Sequence, residues 1–600
     1  MGAAPGTADV AFCLMRTAGS ANLGAPNSRK DKTMPYAAPL ADYTFLLNHV
    51  LGYARLSATQ MFAEADADMA QAILGEAGRM CADVLAPLQR AGDLHPARLE
   101  NGRVVTSPGF ADGYRAIADG GWIGMAASPE HGGMGLPLTL QSAVNEMMSG
   151  ACLSLQLNPL MTQGQIEALE AHASDQIKQA YLPGLISGAI AGTMNLTEPQ
   201  AGSDVGALKS RADDNGDGTY AITGQKIFIS WGDNDFTENV CHLVLARLPD
   251  AANGSKGISL FLVPKILPDG TTNSLQVVSL EHKLGLHGSP TAIMAFEGAT
   301  GWLIGAPNRG LNAMFTMMNN ARLGVGVQGL GAGEGAYQMA LEYARERKQG
   351  HTPLGQAGTG AIIDHADVRR MLMGMRAELY AARALTLATA MATDMARATQ
   401  DATWSARAAF LTPIAKAFGT AAGHRVAHEA IQVHGGMGFI EETGIAQFAR
   451  DVRVTMIYEG TNGIQAMDLV GRKLADGGEA ACRLLDEIST GAEAARADLP
   501  ELAEKVWNAA ETLRETTEWM AAQDDMQARF AGAVPYLEGF ALVLGAHYHL
   551  ASAVAEGGGP RSELSRFHIT RLLPAHAGLL EQARAGLDGL YALSPEELAS

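Results

Sequence analysis

The chain has 600 residues, 47% hydrophobic and 18% charged, with a formal net charge of -19. That length exceeds one compact core and implies several domains; the composition excludes a disordered chain, and an acidic balance without clustered Lys and Arg excludes a nucleic-acid partner. Cys13, Cys81, Cys152, Cys241 and Cys482 are scattered without CxxC spacing, which suits reduced thiols in a cytoplasmic protein and neither a disulfide framework nor a zinc centre.

No apolar run approaches the ~20 residues of a membrane-spanning helix, so membrane insertion is not expected. Residues 1–33 are rich in Gly, Ala, Ser and Asn and carry Arg16, Arg29, Lys30 and Lys32 with few acids. They are expected to form a disordered extension ahead of Met34, with an organellar transit segment as the alternative. From Asp42 to about Leu169 apolar residues recur at helical spacing, first Phe45, Leu46, Val50 and Leu51, then Met69, Ile73, Cys81 and Val84. Glycines at 120–121 and in 131–135 interrupt the pattern.

Between about Gly188 and Gly305 the period shifts to two, and residues 220–223, 226–230, 243–246, 258–263 and 293–296 read as short strands of an antiparallel β-domain. Helical periodicity returns from Leu311 to about Leu474 and again from Glu501 to Leu593, with 476–500 as a connection. The fold class is therefore mainly α with an inserted antiparallel β-domain, and the expected divisions are 1–33, 34–187, 188–307, 308–475 and 476–600.

Several motifs invite chemistry. Gly324-Val325-Gly326-Val327-Gln328-Gly329 satisfies GxGxxG, but a helical pattern precedes it where a strand is required, and Gly326, Gly329 and Gly333 recur at helical spacing. Close helix packing is the better reading, not a dinucleotide loop. His424 and His428 stand one turn apart without a convincing third ligand, so a helix-surface or interface pair is expected and no metal site. The glycine-rich run from His434 to Gly438 resembles an esterase oxyanion loop, yet no GxSxG supplies a nucleophile.

In Thr197-Glu198-Pro199-Gln200-Ala201-Gly202-Ser203-Asp204, small residues and Pro keep the backbone turned and open, so that its N–H groups and the two hydroxyls can face an anion or a flavin edge. A plain inter-domain loop has the same look. Phe228 and Ser230 fall on one face of a strand by the two-residue period, a flat ring beside a hydroxyl; a core Phe fits that too. Finally, Ile457-Tyr458-Glu459-Gly460-Thr461-Asn462-Gly463 sets a carboxylate at the end of an apolar run, before a Gly and a capping Thr. Shielded from water it would have a raised pKa and could act as a general base. By itself the pattern also describes an ordinary turn glutamate.

Together these motifs, with Lys283-Leu284-Gly285, Ser289-Pro290-Thr291, Arg322, Arg345-Glu346-Arg347, Gln432-Val433-His434-Gly435-Gly436 and Arg450-Asp451, stand in an order that resembles the acyl-CoA dehydrogenase family from roughly Asp66 to Leu474. The resemblance implies a helical domain, a β-domain and a four-helix domain holding FAD, followed here by a C-terminal helical extension. It implies that Met194, Leu196, Thr197 and Ser203 lie along the flavin, that Phe228 packs on the ring, that Ser230 reaches N5, and that Thr461 and Gly463 stand at flavin-contact positions. Arg347, Gln432, Gly435 and Gly436 match residues holding the ADP half of a partner's FAD, hence a homodimer at least. Ser203, Asn319, Arg322 and Gly460 match substrate positions, Asn319 and Arg322 at the CoA adenosine end. Glu459 matches the base that removes the α-proton as hydride passes to N5, and an electron-transfer flavoprotein is the implied acceptor.

The sequence departs from the family's pattern at Phe228, where many members have Trp, at Gly350, where an aromatic often covers the adenine, and at Gly463, in place of a polar flavin contact. The long form is similar to the bacterial subgroup acting on 3-methylmercaptopropionyl-CoA in dimethylsulfoniopropionate catabolism. Another short- or medium-chain acyl-CoA, an oxygen-using acyl-CoA oxidase and a non-catalytic CoA- or flavin-binding scaffold are the alternatives.

Overall fold

The computed structural model describes residues 36–352 and 360–600; the expectations for 1–33 lie outside the described residues. The first helices are α1 (Leu40–Phe45) and α2 (Ala67–Met80). The Asp66 side chain caps α2 by accepting from the Met69 N–H, satisfying one of its orphan donors. The buried face of α2 is Ala70, Leu74, Ala77 and Gly78, continuing into Cys81 and Leu85. Of the expected stripe Cys81 is buried and Ile73 packs at its edge, whereas Met69 is 47% exposed and Val84 36%. Small Ala and Gly face the core there, and the larger Met and Val ride on its rim.

Helix α3 (Leu138–His172) is buried over nearly its whole length, bends at Cys152 (φ -156°, ψ 86°) and contains Pro159. A helix covered on all sides has no amphipathic stripe to read. Its interior instead carries Glu146, Gln156, Asn158 and Gln165, polar groups that a core helix keeps only with partners or a purpose.

The sheet domain follows. A small hairpin, β1 (Arg98–Glu100) and β2 (Arg103–Val105), precedes it. The main sheet joins β3 (Ile190–Asn195), β4 (Arg211–Asp214), β5 (Tyr220–Ser230), β6 (Asn239–Ala246), β7 (Ser259–Pro264), β8 (Leu275–Leu280) and β9 (Thr291–Ile304) in the order β3-β6-β7-β9-β5-β4, with β8 also on β9. The sheet is mixed, because β3 runs parallel to β6 while the other pairs are antiparallel. Two expected strands, 220–223 and 226–230, are one strand that passes through Gly224. Strand β9 outruns its apolar core of 293–296, since Glu297 and, past a bulge at Gly298, Ala299 to Gly301 still pair with β5.

Three long helices return: α4 (Gly310–Glu346), α5 (Ala366–Thr399) and α6 (Ala402–His434). Gly326 and Gly329 lie inside α4 and meet α6 backbone to backbone. A Cβ on Gly326 would stand 2.6 Å from the Ala415 carbonyl oxygen, one on Gly329 2.4 Å from the Thr420 Cα, and one on Gly423 of α6 1.8 Å from the Gly329 carbonyl oxygen. The GxGxxG run is thus a helix contact.

Helix α7 (Ile445–Val452) and the short α8 (Asn462–Asp468) complete this part. The extension contributes α9 (Glu479–Ala495), α10 (Pro500–Ala522), α11 (Met526–Glu556), α12 (Pro560–Phe567) and α13 (Ala575–Arg584). The expected connection at 476–500 is largely helix α9, in keeping with its Ala and Glu content.

Among the described residues α11 is long and apolar enough to cross a membrane by length and composition, contrary to the expectation of no such run; 61% of its most apolar window is buried inside the protein. It packs on α5 through Tyr380 Oη to Ser552 Oγ (2.8 Å) and His549 Nε2 to the Ala377 carbonyl (3.0 Å). A charge cluster centred on the fully buried Arg383 ties the layers together. Arg383 of α5 donates to Glu146 of α3, Glu334 of α4 and Asp42 of α1, and Asp42 also receives Arg376 and Arg561.

Candidate active site

The segment around Glu459 is shaped by its backbone. After α7 and a 3-10 turn at Arg453–Met456, Glu459 (φ 56°) and Gly460 (φ 83°) both take the left-handed conformation. For a glutamate this is strained and persists only where neighbours enforce it. Gln465 does so by donating its amide to the Glu459 and Gly460 carbonyls, at 3.2 Å each. Asn462 donates to the Ala417 carbonyl (3.2 Å) and accepts from Lys416 Nζ (3.0 Å), fastening the turn to α6. A Cβ on Gly460 would stand 2.9 Å from Gln465 Nε2. Thr461 spends its hydroxyl as the cap of α8, accepting from the Ile464 N–H, and Gly463 lies within that helix.

Burial pushes the Glu459 carboxyl up to about 7, against the opposing pull of the positive charges of Arg322 and Lys416. Desolvation therefore outweighs two cations, the condition of a base poised near neutrality. Lys416 is fully buried in α6, and burial pushes its ammonium down to about 7. Arg322, matched by resemblance to the CoA adenosine end, is only 6% exposed; it faces Asp468 at 3.4 Å and acts on the Glu459 carboxyl. Asn319 is exposed one turn earlier on α4.

The second wall is the loop after β3. Met194, Leu196 and Thr197 are half-buried, and Ser203 is exposed beyond a tight turn in which Glu198 and Ala201 exchange backbone hydrogen bonds of 3.0 and 2.9 Å. The Glu198 carboxylate holds that turn from inside. It accepts from Lys226 Nζ (2.9 Å), Ser210 Oγ (2.6 Å) and the N–H groups of Lys209 (2.7 Å) and Ser210 (3.0 Å). Although burial pushes the other way, Lys226 and these donors bring it down to about 2.

Lys226 opens the last part of β5, where the register against β9 slips between Lys226 and Ile229. Phe228 sits in that bulge at φ 61° and is 59% exposed. The two-residue alternation that placed Phe228 and Ser230 on one face is interrupted there, and the bulge, not the period, aims the ring outward. The Ile227 N–H donates to the Thr197 carbonyl at 2.9 Å, bringing bulge and loop together. The β-domain is latched to α7 by the Leu286 N–H donating to Asp451 at 2.6 Å.

A separate group forms at the far ends of α4 and α6. Arg347 follows α4, Gln432, Gly435 and Gly436 end α6, and Tyr343 stacks on His434 at 4.3 Å between them. All four are exposed, and Cβ atoms on Gly435 or Gly436 would meet nothing within 4 Å. Gln432 lies roughly 24 Å along α6 from Lys416, at 1.5 Å per residue, so this group at the end of the helix stands well apart from Glu459, which lies beside the helix middle. His424 and His428 pair ring to ring at 4.2 Å between them. They line a groove of about 1070 Å³ against the extension, and among the described residues no group of three candidate ligands could hold a metal.

Glu198, Lys226, Lys416, Asn462 and Gln465 were not among the expected site residues. Lys416, a lone charge in an apolar helical stretch, was the detectable signal; the Glu198–Lys226 pair needs the fold to bring it together.

Comparison with known proteins agrees with this architecture. Residues 68–189, 193–299 and 308–474 match the N-terminal, middle and C-terminal domains of acyl-CoA dehydrogenase, and 484–594 match a domain described as acetyl-CoA dehydrogenase C-terminal like. The chain is 47% identical to 3-methylmercaptopropionyl-CoA dehydrogenase of Ruegeria pomeroyi, over 84% of this chain and 88% of that protein. It is 34% identical to a butyryl-CoA dehydrogenase of Syntrophomonas wolfei, over 76% and 79%. Among solved structures, Caenorhabditis elegans ACDH-11 in complex with C11-CoA shares the fold with a TM-score of 0.75 at 19% identity, covering 95% of this chain and 98% of that one. An FAD complex of acyl-CoA dehydrogenase from Bacillus anthracis does so at 0.72 and 20%, covering 92% and 95%. The chain belongs to the acyl-CoA dehydrogenase family of FAD-dependent oxidoreductases.

Proposed function

We propose that the protein oxidises 3-methylmercaptopropionyl-CoA to 3-methylthioacryloyl-CoA, with Glu459 as the base. The observation that carries this reading is the Glu459 carboxyl, held by a strained turn and raised by burial to about 7. The substrate follows from the relative of that name at 47% identity.

The residues present fit FAD. An exposed aromatic ring at Phe228, hydroxyls at Thr197, Ser203 and Ser230, and the side-chain-free backbone at Gly435-Gly436 are the donors and faces such a group needs. When bound, FAD supplies the acceptor for the hydride that leaves the β-carbon. Glu459 takes the α-proton, and its backbone N–H donates to the thioester carbonyl oxygen, where negative charge gathers as the proton departs. Entry of the thioester expels water from the carboxylate and makes it a stronger base as it is needed. Gly460 lets the left-handed turn close against Gln465 and Ile464, which a Cβ there would meet at 2.9 and 3.3 Å.

Arg347 and Gln432 to Gly436 would hold the ADP half of a partner's FAD. The roughly 24 Å between Gln432 and Lys416 along α6 supports sharing the cofactor across a homodimer. An electron-transfer flavoprotein is the proposed acceptor, in the cytoplasm. The test is a dye-linked assay with mass analysis of the product. Loss of two hydrogens from 3-methylmercaptopropionyl-CoA is expected; an unchanged thioester refutes the reading, and peroxide formed without added acceptor assigns the enzyme to the oxidases.

A further inference from the structure

Two cations stand near the proposed base, yet neither is bonded to it. Burial raises the Glu459 carboxyl, and Arg322 and Lys416 oppose that rise through space alone. Each cation is bonded elsewhere: Arg322 Nη1 faces Asp468 Oδ2 at 3.4 Å, and Lys416 Nζ donates to Asn462 Oδ1 at 3.0 Å. The distinction matters for chemistry. A carboxylate paired with a guanidinium is a weak base, because an opposite charge within ~4–6 Å lowers its pKa by about 1–3 pH units.

Asp468 is buried and is the last residue of α8, the helix that starts at the Glu459 turn under its Thr461 cap. Base and aspartate thus lie at the two ends of one short element, separated by roughly 9 Å of helix. Burial disfavours the Arg322 charge, and of the two carboxylates that support it Asp468 acts more strongly than Glu459. Arg322 has no other anchor among the described residues: its Nε is buried without a partner, and Asp468 receives the one hydrogen bond its side chain makes. The Phe315 ring lies 6.0 Å from the Arg322 guanidinium and 5.8 Å from that of Arg472. Arg472, one turn beyond Asp468, donates to the other aspartate oxygen, and both Arg472 and Lys473 repel Arg322. The charged groups gathered around the base are therefore Arg322 from α4, Lys416 from α6, and Asp468, Arg472 and Lys473 from the end of α8, with the Tyr458 phenol beside it.

Resting on Glu459 as the base proposed above, we infer that Asp468 is a positioning residue of the reaction: it holds the Arg322 guanidinium off the Glu459 carboxylate and so preserves that group's strength as a base. Without Asp468, Glu459 is the remaining carboxylate acting on Arg322. An ion pair formed there would keep Glu459 ionised to lower pH and weaken its hold on a proton, the reverse of what a base working near neutrality requires.

The test titrates the Glu459 carboxyl by infrared spectroscopy on the FAD-loaded protein without substrate, the band being assigned by its loss in Glu459→Gln, and follows kcat and KM against pH alongside. The unsubstituted protein is expected to titrate at about 7. Asp468→Asn should lower the midpoint by about 1–3 pH units and slow kcat about ten-fold above it, with KM changing less. Asp468→Glu, which keeps the charge, should return the midpoint to about 7. Loosening of the turn would also admit water and lower the midpoint, so the comparison is repeated in Arg322→Met. If Asp468 works through Arg322, adding Asp468→Asn there should move the midpoint by less than about half a pH unit.

An unmoved midpoint in Asp468→Asn overturns the inference, and so does a shift that persists at full size without Arg322. Should Asp468→Asn not hold FAD, Arg322→Met decides alone. Loss of a guanidinium that acts only through space should raise the midpoint by less than about one pH unit, and a larger rise, as from a bonded guanidinium, overturns the inference. The titration reads the carboxyl whether or not it takes a proton from substrate. Failure of the base reading, seen as equal flavin bleaching in Glu459→Gln, is therefore distinguishable from failure of the tether.

Discussion

The proposed role of Glu459 as the base rests on surroundings that withhold water, and the pH dependence of the reaction should record it. With the carboxyl raised to about 7, only the ionised form removes a proton, so kcat/KM should rise with pH through about 7 and level off above it. Lys416 and Arg322 hold that value down. Replacing the lysine in Lys416→Met takes away one opposing charge, raises the carboxyl further and should move the rising limb to higher pH. A pH–rate profile of both proteins checks the sign, with FAD content as the control for folding. The glutamate itself was legible as a carboxylate before a glycine in an apolar run, but its left-handed backbone and its two cations were not, because both depend on α4 and α6 arriving from elsewhere in the chain.

The elements position the site through a few irreplaceable contacts. Lys226→Met would leave the Glu198 carboxylate buried without its cation, at a cost of about 3–5 kcal/mol. Thermal unfolding should show the loss, and FAD should be released more readily as the 196–203 loop loosens. Because the Glu198 carboxyl is brought down to about 2, its contribution is present above the ordinary carboxylate range and is lost as pH falls through about 2. Gly423→Ala would place a methyl 1.8 Å from the Gly329 carbonyl and force α4 and α6 apart. About 1–3 kcal/mol of stability should be lost, measurable by denaturant titration. The helix–sheet–helix order and the glycine seam could be read from periodicity, since both are local patterns. The bulge at Phe228 could not, because an extra residue shows only against the partner strand, where Ile227 and Phe228 stand opposite Ile293 alone. Nor could Met69 and Val84 be told from the core face, because Ala70, Ala77 and Gly78 take core positions beside Leu74 and Cys81.

At the scale of the whole molecule, Asp42, Glu146, Glu334, Arg376, Arg383 and Arg561 join the first helix, the central helices and the extension in one buried cluster. The extension is thereby part of the protein's core. The separation of Arg347 and Gln432 from Glu459 predicts that each flavin site is completed by a second subunit. Co-expressing Arg347→Ala with Glu459→Gln should then restore activity that neither variant has alone, because a mixed dimer contains one site with an intact base and an intact partner contact. Absence of restoration in demonstrated mixed dimers would contradict cofactor sharing. The most direct test of the central claim is rapid anaerobic mixing of the FAD-loaded protein with 3-methylmercaptopropionyl-CoA, followed by flavin absorbance. The flavin should bleach in the unsubstituted protein and bleach about 10²–10⁴-fold more slowly in Glu459→Gln, at equal FAD content; bleaching at the same rate in both would contradict the assignment of Glu459 as the base.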